Sequence, residues 1–88
     1  MEYRITKHFA KKFSKNKNKK LAQALYSVIN EVSTVKTFSE VNNQKKMKGY
    51  ETAYRIRIGS YIIGVFVSDD IVEFSTFDHR SSIYRTFP

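Results

Sequence analysis

Between Leu21 and Val35 the large apolar residues fall at Leu21, Leu25, Val28, Val32 and Val35, in steps of four, three, four and three. From Ala53 onward they alternate with other residues instead. A step near 3.6 draws one stripe along an α-helix, and a step of two draws one face of a β-strand. A chain carrying both patterns has one economical solution, which is to lay the helical stripe on the apolar face of a sheet. With 88 residues there is room for one such pair of layers. A domain this small buries only about 60–65% of the surface its unfolded chain exposes. Residues 1–88 are therefore read as a single domain.

The same patterns place the remaining elements. Glu2 to Thr6 alternates, with Tyr3 and Ile5 on one side, and reads as a short strand. Phe9 and Phe13 lie four apart and start a helix that Thr6 can cap. Asn16 and Asn18 interrupt a lysine run and mark a turn into the long helix, which is expected to end near Lys36. Phe38 to Gln44 reads as a loop. Strands are expected at Lys45–Gly49, Ala53–Ile58, Tyr61–Val67 and Ile71–Phe77, with hairpin turns at Gly59-Ser60 and Asp69-Asp70. The tail, Arg80 to Phe87, reads as a short helix or an extended arm. The order is β-α-α-β-β-β-β: an α+β fold with a helical hairpin on one face of a mostly antiparallel sheet.

Charge narrows the function. The chain has 16 Lys and Arg against eight Asp and Glu, a net charge of +8. Residues 1–20 hold eight of those cations and only Glu2 in opposition, so this segment carries +7 and the rest of the chain +1. Polyanions are the natural partners of such a segment. There is no cysteine, which excludes disulfides, thiolate metal sites and cysteine nucleophiles and suits a reducing compartment. The longest apolar run, Tyr61 to Val67, falls well short of the roughly 20 residues of a membrane span. The charged start does not read as a secretory signal. A cytoplasmic location is the expectation.

The strand around Arg55 holds the most informative pattern. Tyr54, Ile56 and Ile58 share one face, while Arg55 and Arg57 share the other. Two guanidiniums on a sheet must be solvated, paired with an acid such as Glu73, or holding phosphate. At the carboxyl end stand Asp78-His79-Arg80 and, one turn later, Tyr84-Arg85. His79, Arg80 and Tyr84 can approach the arginine face if the last strand lies in the same sheet. Such a group suits an RNA phosphodiester: imidazole moves a proton near neutral pH, guanidiniums stabilise a pentacovalent phosphorane, and tyrosine stacks on a base. No role is read for His8.

Lys48-Gly49, then Tyr54-Arg55-Ile56-Arg57-Ile58-Gly59-Ser60-Tyr61, the acidic hairpin at Asp69-Asp70, His79-Arg80 and Ile83-Tyr84-Arg85 together resemble the RelE/ParE superfamily of bacterial toxins from type II toxin-antitoxin systems. The match in order and spacing covers nearly the whole chain. The resemblance implies the same small α+β fold and a cognate antitoxin that wraps and silences the toxin. It also implies co-repression of the operon, with operator DNA bound through the antitoxin. For the RelE branch it implies cleavage of mRNA in the ribosomal A site. There the 2′-hydroxyl attacks the neighbouring phosphate and leaves a 2′,3′-cyclic phosphate, with neither metal nor cofactor.

In that frame Arg55 and Arg57 are assigned to electrostatic stabilisation, since a guanidinium is too weak an acid to serve as a base at neutral pH. His79 is assigned proton transfer, Arg80 neutralisation of the leaving side, and Tyr84 stacking. Lys11, Lys12, Lys15, Lys19, Lys20 and Lys48 are expected to bind RNA without sequence choice. One position departs from the family. Members commonly carry an arginine where this chain has Ile62, a residue expected to face the phosphate with Arg55 and Arg57. The departure implies weakened cleavage, compensation by the other arginines, or a non-nuclease branch. A ParE-like toxin that poisons DNA gyrase is the competing reading, and a non-toxic RNA-binding regulator is a third.

Overall fold

The computed structural model describes all 88 residues. Strand β1 (Glu2–Ile5) leads into helices α1 (Lys7–Lys15) and α2 (Lys19–Thr34). A 3₁₀ turn at Phe38–Glu40 precedes strands β2 (Gln44–Lys46), β3 (Ala53–Ile58), β4 (Tyr61–Ser68) and β5 (Ile71–His79), and a second 3₁₀ turn spans Ile83–Arg85. The strands form one sheet in the order β1-β5-β4-β3-β2, antiparallel throughout except that β1 runs parallel to β5. This is the α+β order read from the sequence. No helix is long and apolar enough to cross a membrane.

Side-chain caps start both helices, at Thr6 as the sequence implied and at Asn18, which the sequence marked only as part of a turn. Thr6 Oγ1 accepts the Phe9 N–H at 3.1 Å, and Asn18 Oδ1 accepts the Leu21 N–H at 3.1 Å. Each cap satisfies an amide that the helix itself leaves unpaired. Leu21, Leu25, Val28 and Val32 then bury the α2 stripe against Ile56, Ile63, Val65, Val72, Phe74 and Phe77 of the sheet. Helix α1 adds Phe9, whose ring lies 5.7 Å from Phe74 and 5.1 Å from Phe77. Beyond Ile5, α1 continues along the stretch of β5 that β1 does not pair. Thr6 bonds the Phe74 carbonyl, and Lys12 reaches Asp78 at 3.7 Å.

Several boundaries shift for local reasons. Helix α2 stops at Thr34, short of Lys36. The Phe38–Gln44 loop contains a 3₁₀ turn that buries Phe38, with Val41 buried just after it. Strand β2 has three residues because the chain turns back at Met47, whose N–H bonds the Ala53 carbonyl at 2.8 Å. Gly49 makes that reversal with φ +87°, a conformation open to glycine. Strand β5 runs two residues past Phe77 to His79.

The tail is neither a regular helix nor a free arm. Ile83 and Phe87 fold down on the sheet face opposite the helices and form a second small core with Ala53 and Ile62, flanked by Met47 and Phe66. Gly64 makes room for it. A Cβ at Gly64 would meet three atoms of the Phe87 ring at 2.6–2.7 Å. The absence of a side chain there is what seats the ring.

Candidate functional site

Strand register defines the face that carries the arginines. Lys45, Arg55, Gly64 and Thr76 stand side by side across β2, β3, β4 and β5, and Arg57, Ile62 and Asp78 form the next row. Residues directly opposite one another share a face. Arg55, Arg57 and Lys45 therefore project from the side away from the helices, as alternation in β3 requires. Only two ion pairs lie within 4.0 Å, Arg4 with Glu73 at 3.9 Å and Lys12 with Asp78 at 3.7 Å. Glu73 thus serves Arg4, and Arg55, Arg57, Arg80 and Arg85 have no carboxylate partner. Arg57 Nε donates to the Gly59 carbonyl at 3.3 Å. This bond draws its guanidinium toward the β3–β4 hairpin and leaves both Nη groups free.

Ile62 does stand between Arg57 and Asp78, but it does not line an open site. It is 3% exposed and lies in the second core with Ile83 and Phe87. An anion could not reach this position, so the missing cation expected there is replaced by packing. Tyr84 is exposed between the two anchoring residues of the tail. Arg80 is exposed at the sheet end, its N–H bonded to the Ser60 carbonyl at 2.8 Å.

His79 is where expectation and structure part. It pairs with Tyr61, whose ring packs on the helix-side core, and the two rings meet edge to face at 5.6 Å. The imidazole therefore leaves the sheet on the helix side, opposite Arg55 and Arg57. The cause is a β-bulge. Gly64 opposes Thr76 while Val65 opposes Phe74, so Ser75 is an extra residue. Counting alternation on from Val72 and Phe74 would put His79 with the arginines; the inserted residue reverses it. Its consequence is visible in Phe74 and Phe77, which enter the same core although they are an odd number of residues apart. His79 and Arg57 nevertheless lie at the same end of the sheet, approaching its rim from opposite sides. The single hollow expected to hold both is not formed, and none of the five main surface hollows is lined by Arg55, Arg57, His79 or Tyr84.

Locally the imidazole is well ordered. Its Nδ1 lies 2.8 Å from Ser81 Oγ and accepts the Ser81 backbone N–H at 3.1 Å. Those bonds occupy Nδ1, place the proton of the neutral ring on Nε2, and leave Nε2 free for another molecule. Among the lysines, Lys11, Lys15, Lys19, Lys20 and Lys48 are exposed. Lys12 is half-buried, paired with Asp78 and placed over the Phe77 ring at 5.3 Å, so it is the least available of the six. Lys48 sits in the β2–β3 turn rather than on the helical hairpin. No three His, Asp or Glu side chains group as metal ligands.

No protein-family model matches the chain. A curated relative, the toxin RelE3 of Methanocaldococcus jannaschii, is 52% identical over 44 residues, which is half of each protein. The toxin chain in the crystal structure of a RelB-RelE antitoxin-toxin complex from Methanococcus jannaschii is 32% identical, with a TM-score of 0.77 over 97% of this chain and 99% of that one. The chain belongs to the RelE family of toxins. The RelE fold persists at greater distance. In the archaeal RelE-RelB complex from Pyrococcus horikoshii the match has a TM-score of 0.73 at 18% identity, covering 92% of this chain and 96% of that one.

Within this RelE fold two participants escaped the sequence. Lys45 is one, because only the β2–β3 register sets it beside Arg55. Ser81 is the other. A serine two residues after a histidine is too common a pattern to signal a contact, and only the chain reversal after β5 makes one.

Proposed function

We propose that this chain is a toxin that halts translation by cutting mRNA on the ribosome, and that a cognate antitoxin holds it inactive in the cytoplasm. The observation that carries the reading is the group of Arg55, Arg57 and Lys45, cations free of acidic partners on one sheet face, in a chain of the RelE family. In the reaction the ribose 2′-hydroxyl gives up its proton to water as its oxygen attacks the adjacent phosphorus, the bond to the 5′-oxygen breaks, and a 2′,3′-cyclic phosphate and a 5′-hydroxyl remain. The scissile phosphate sits at the sheet rim beside the Gly59-Ser60 hairpin. Arg57 and Arg80 stabilise the phosphorane charge there, and Arg55 and Lys45 hold the strand from within the face. His79 serves as the acid in its imidazolium form, with Nδ1–H turned to Ser81 Oγ in place of the backbone N–H, and passes a proton from Nε2 to the departing 5′-oxygen. Tyr84, exposed on the tail, stacks on a base. No metal or cofactor takes part in these steps.

The antitoxin reading draws on a surface of a different kind. Ile5, Phe9, Ala10, Phe13, Tyr26 and Ile29 line a wholly apolar groove of about 210 Å³ between the helices and β1. Tyr26 is 63% exposed and Ile5 41%, so the groove costs free energy unless a partner covers it. An amphipathic antitoxin segment with acidic flanks fits the groove and the lysines around it. Operator binding would follow through that antitoxin.

Expression of the chain without antitoxin, followed by mapping of mRNA ends on ribosomes, tests the function. Cuts within codons that carry 2′,3′-cyclic phosphate ends are expected. Intact mRNA with arrested DNA supercoiling would transfer the chain to the gyrase-poisoning reading, which no observation here favours. His79→Ala and Arg57→Ala are each expected to lower cleavage at least about tenfold while unfolding midpoints stay near wild type. A variant that cuts at the parent rate removes that residue from the mechanism.

A further inference from the structure

The turn of the helical hairpin overhangs the sheet at the same end as His79, and the gap between them is not filled. On the α1 side lies a hollow of about 360 Å³ whose walls include Lys12, Lys15, Asn16, Tyr61 and Asp78. On the α2 side lies another of about 490 Å³, bordered by Asn18, Lys20, Gly59 and Ser60. Both share Leu21 and Tyr61. They adjoin at Leu21 and Tyr61 as one shallow trough, and His79 meets the Tyr61 ring edge to face at 5.6 Å without lining either hollow. Both hollows are shallow and open to solvent.

We propose that this trough binds the single-stranded RNA that flanks the cleavage point, with Tyr61 stacking on one base and Lys15 and Lys20 holding the phosphates on either side. The inference rests on the RNA-cleaving reading and names where its substrate lies. Aromatic rings between cations are the pattern that single-stranded nucleic acid requires, because every base offers a π-face and every linkage a charge. Lys12 is taken up by Asp78 at 3.7 Å, which leaves Lys15 and Lys20 as the cations of the trough free to hold phosphate. The trough also accounts for the direction of His79. With the bulge in β5, the imidazole stands beside Tyr61 on the trough's side of the sheet rather than on the arginine face, and the RNA passes over the rim to reach Arg57.

The test uses the intact chain and an eight-nucleotide 2′-O-methyl RNA, which cannot be cut, with binding read by fluorescence anisotropy across a salt series. Lys15→Glu with Lys20→Glu is expected to weaken binding at least tenfold and to flatten the salt slope by about 1.4, the share of two single-strand phosphates. A control with the same charge change, Lys36→Glu with Lys46→Glu, is expected to cost less than threefold. Tyr61→Leu is expected to cost about fivefold or more and Tyr61→Phe almost nothing. Because Tyr61 is half-buried, the lysine pair, exposed on the helices, supplies the test that does not depend on core packing. Equal losses from the two lysine pairs, or no measurable binding by wild type, would overturn the trough. Ribosomal cleavage is measured separately. Cleavage that survives loss of trough binding overturns this inference alone, whereas intact trough binding without cleavage overturns the nuclease reading alone.

Discussion

Replacing Ile62 by arginine sets two lines of reasoning against each other. In the sequence the change restores a cation that family members carry, and faster cleavage follows. The structure gives the opposite sign. Ile62 is 3% exposed beneath Ile83, which is wholly buried, and Phe87, which is 3% exposed. Removing the isoleucine side chain forfeits about 1.5–3 kcal/mol of burial whatever else happens. The guanidinium then has two courses. It can stay under the tail, where an unpaired buried charge costs several kcal/mol. Or the tail can lift, losing a further 1.5–3 kcal/mol or so for each of Ile83 and Phe87, partly offset by the entropy the freed residues regain. The cheaper course sets the cost, and a loss of about 2–4 kcal/mol is expected. Urea unfolding followed by circular dichroism measures it, with Ile62→Val as the control at about 0.5–1.5 kcal/mol. Limited proteolysis reports a lifted tail by cleavage after Arg80 or Arg85. An Ile62→Arg chain with the parent's midpoint and faster RNA cleavage would refute the second core as the role of this residue.

Gly64→Ala is expected to destabilise by about 1–3 kcal/mol, because its Cβ would overlap the Phe87 ring; a midpoint equal to wild type would show that the ring is not held where it is described. Glu40 accepts backbone N–H bonds from Thr37 and Lys36, and these hold its carboxyl below the ordinary value of 4.5. A carboxyl lowered on folding stabilises the chain above its unfolded value and loses that contribution as pH falls through the folded one. Glu40→Gln should therefore lower the unfolding midpoint at neutral pH and converge with wild type as pH falls through the lowered folded-state value. A difference that grew in acid would contradict the assignment.

What the sequence disclosed and what it hid follow from the range of each signal. The stripe from Leu21 to Val32 and the alternation through Tyr54, Ile56 and Ile58 are local periodicities, and each element they define packs as expected. The side of the arginines was legible for the same reason. The second core was not, because Ile83 and Phe87 lie in a three-residue turn and an irregular end with no period to read, and because they meet Gly64 and Ile62 only across long stretches of chain. The direction of His79 was hidden by a single inserted residue. Alternation is a rule of parity, and one bulge at Ser75 inverts it for everything that follows in the strand.

That inversion has a kinetic consequence. A phosphodiester is cut quickly only when the stabilising cations and the proton donor meet it together, and displacement by about 1 Å can cost 10²-fold. Here Arg57 and His79 approach the rim from opposite faces, so a relaxed strand lying on either face touches one and misses the other. Only RNA bent over the Gly59-Ser60 hairpin engages both, and a short free oligonucleotide has no reason to hold that bend. The ribosome does hold mRNA in a fixed path, and the exposed cations at Lys11 and Lys19 give it a surface on which to seat the toxin. The chain is therefore expected to cut naked RNA at least about 10² times more slowly than the same codons on ribosomes, with the difference in the rate of the bound complex rather than in affinity. Single-turnover cleavage at saturating protein separates the two. Equal rates on free and ribosome-bound RNA would mean that the two faces already converge in the free chain, and that the bulge does not divide the site.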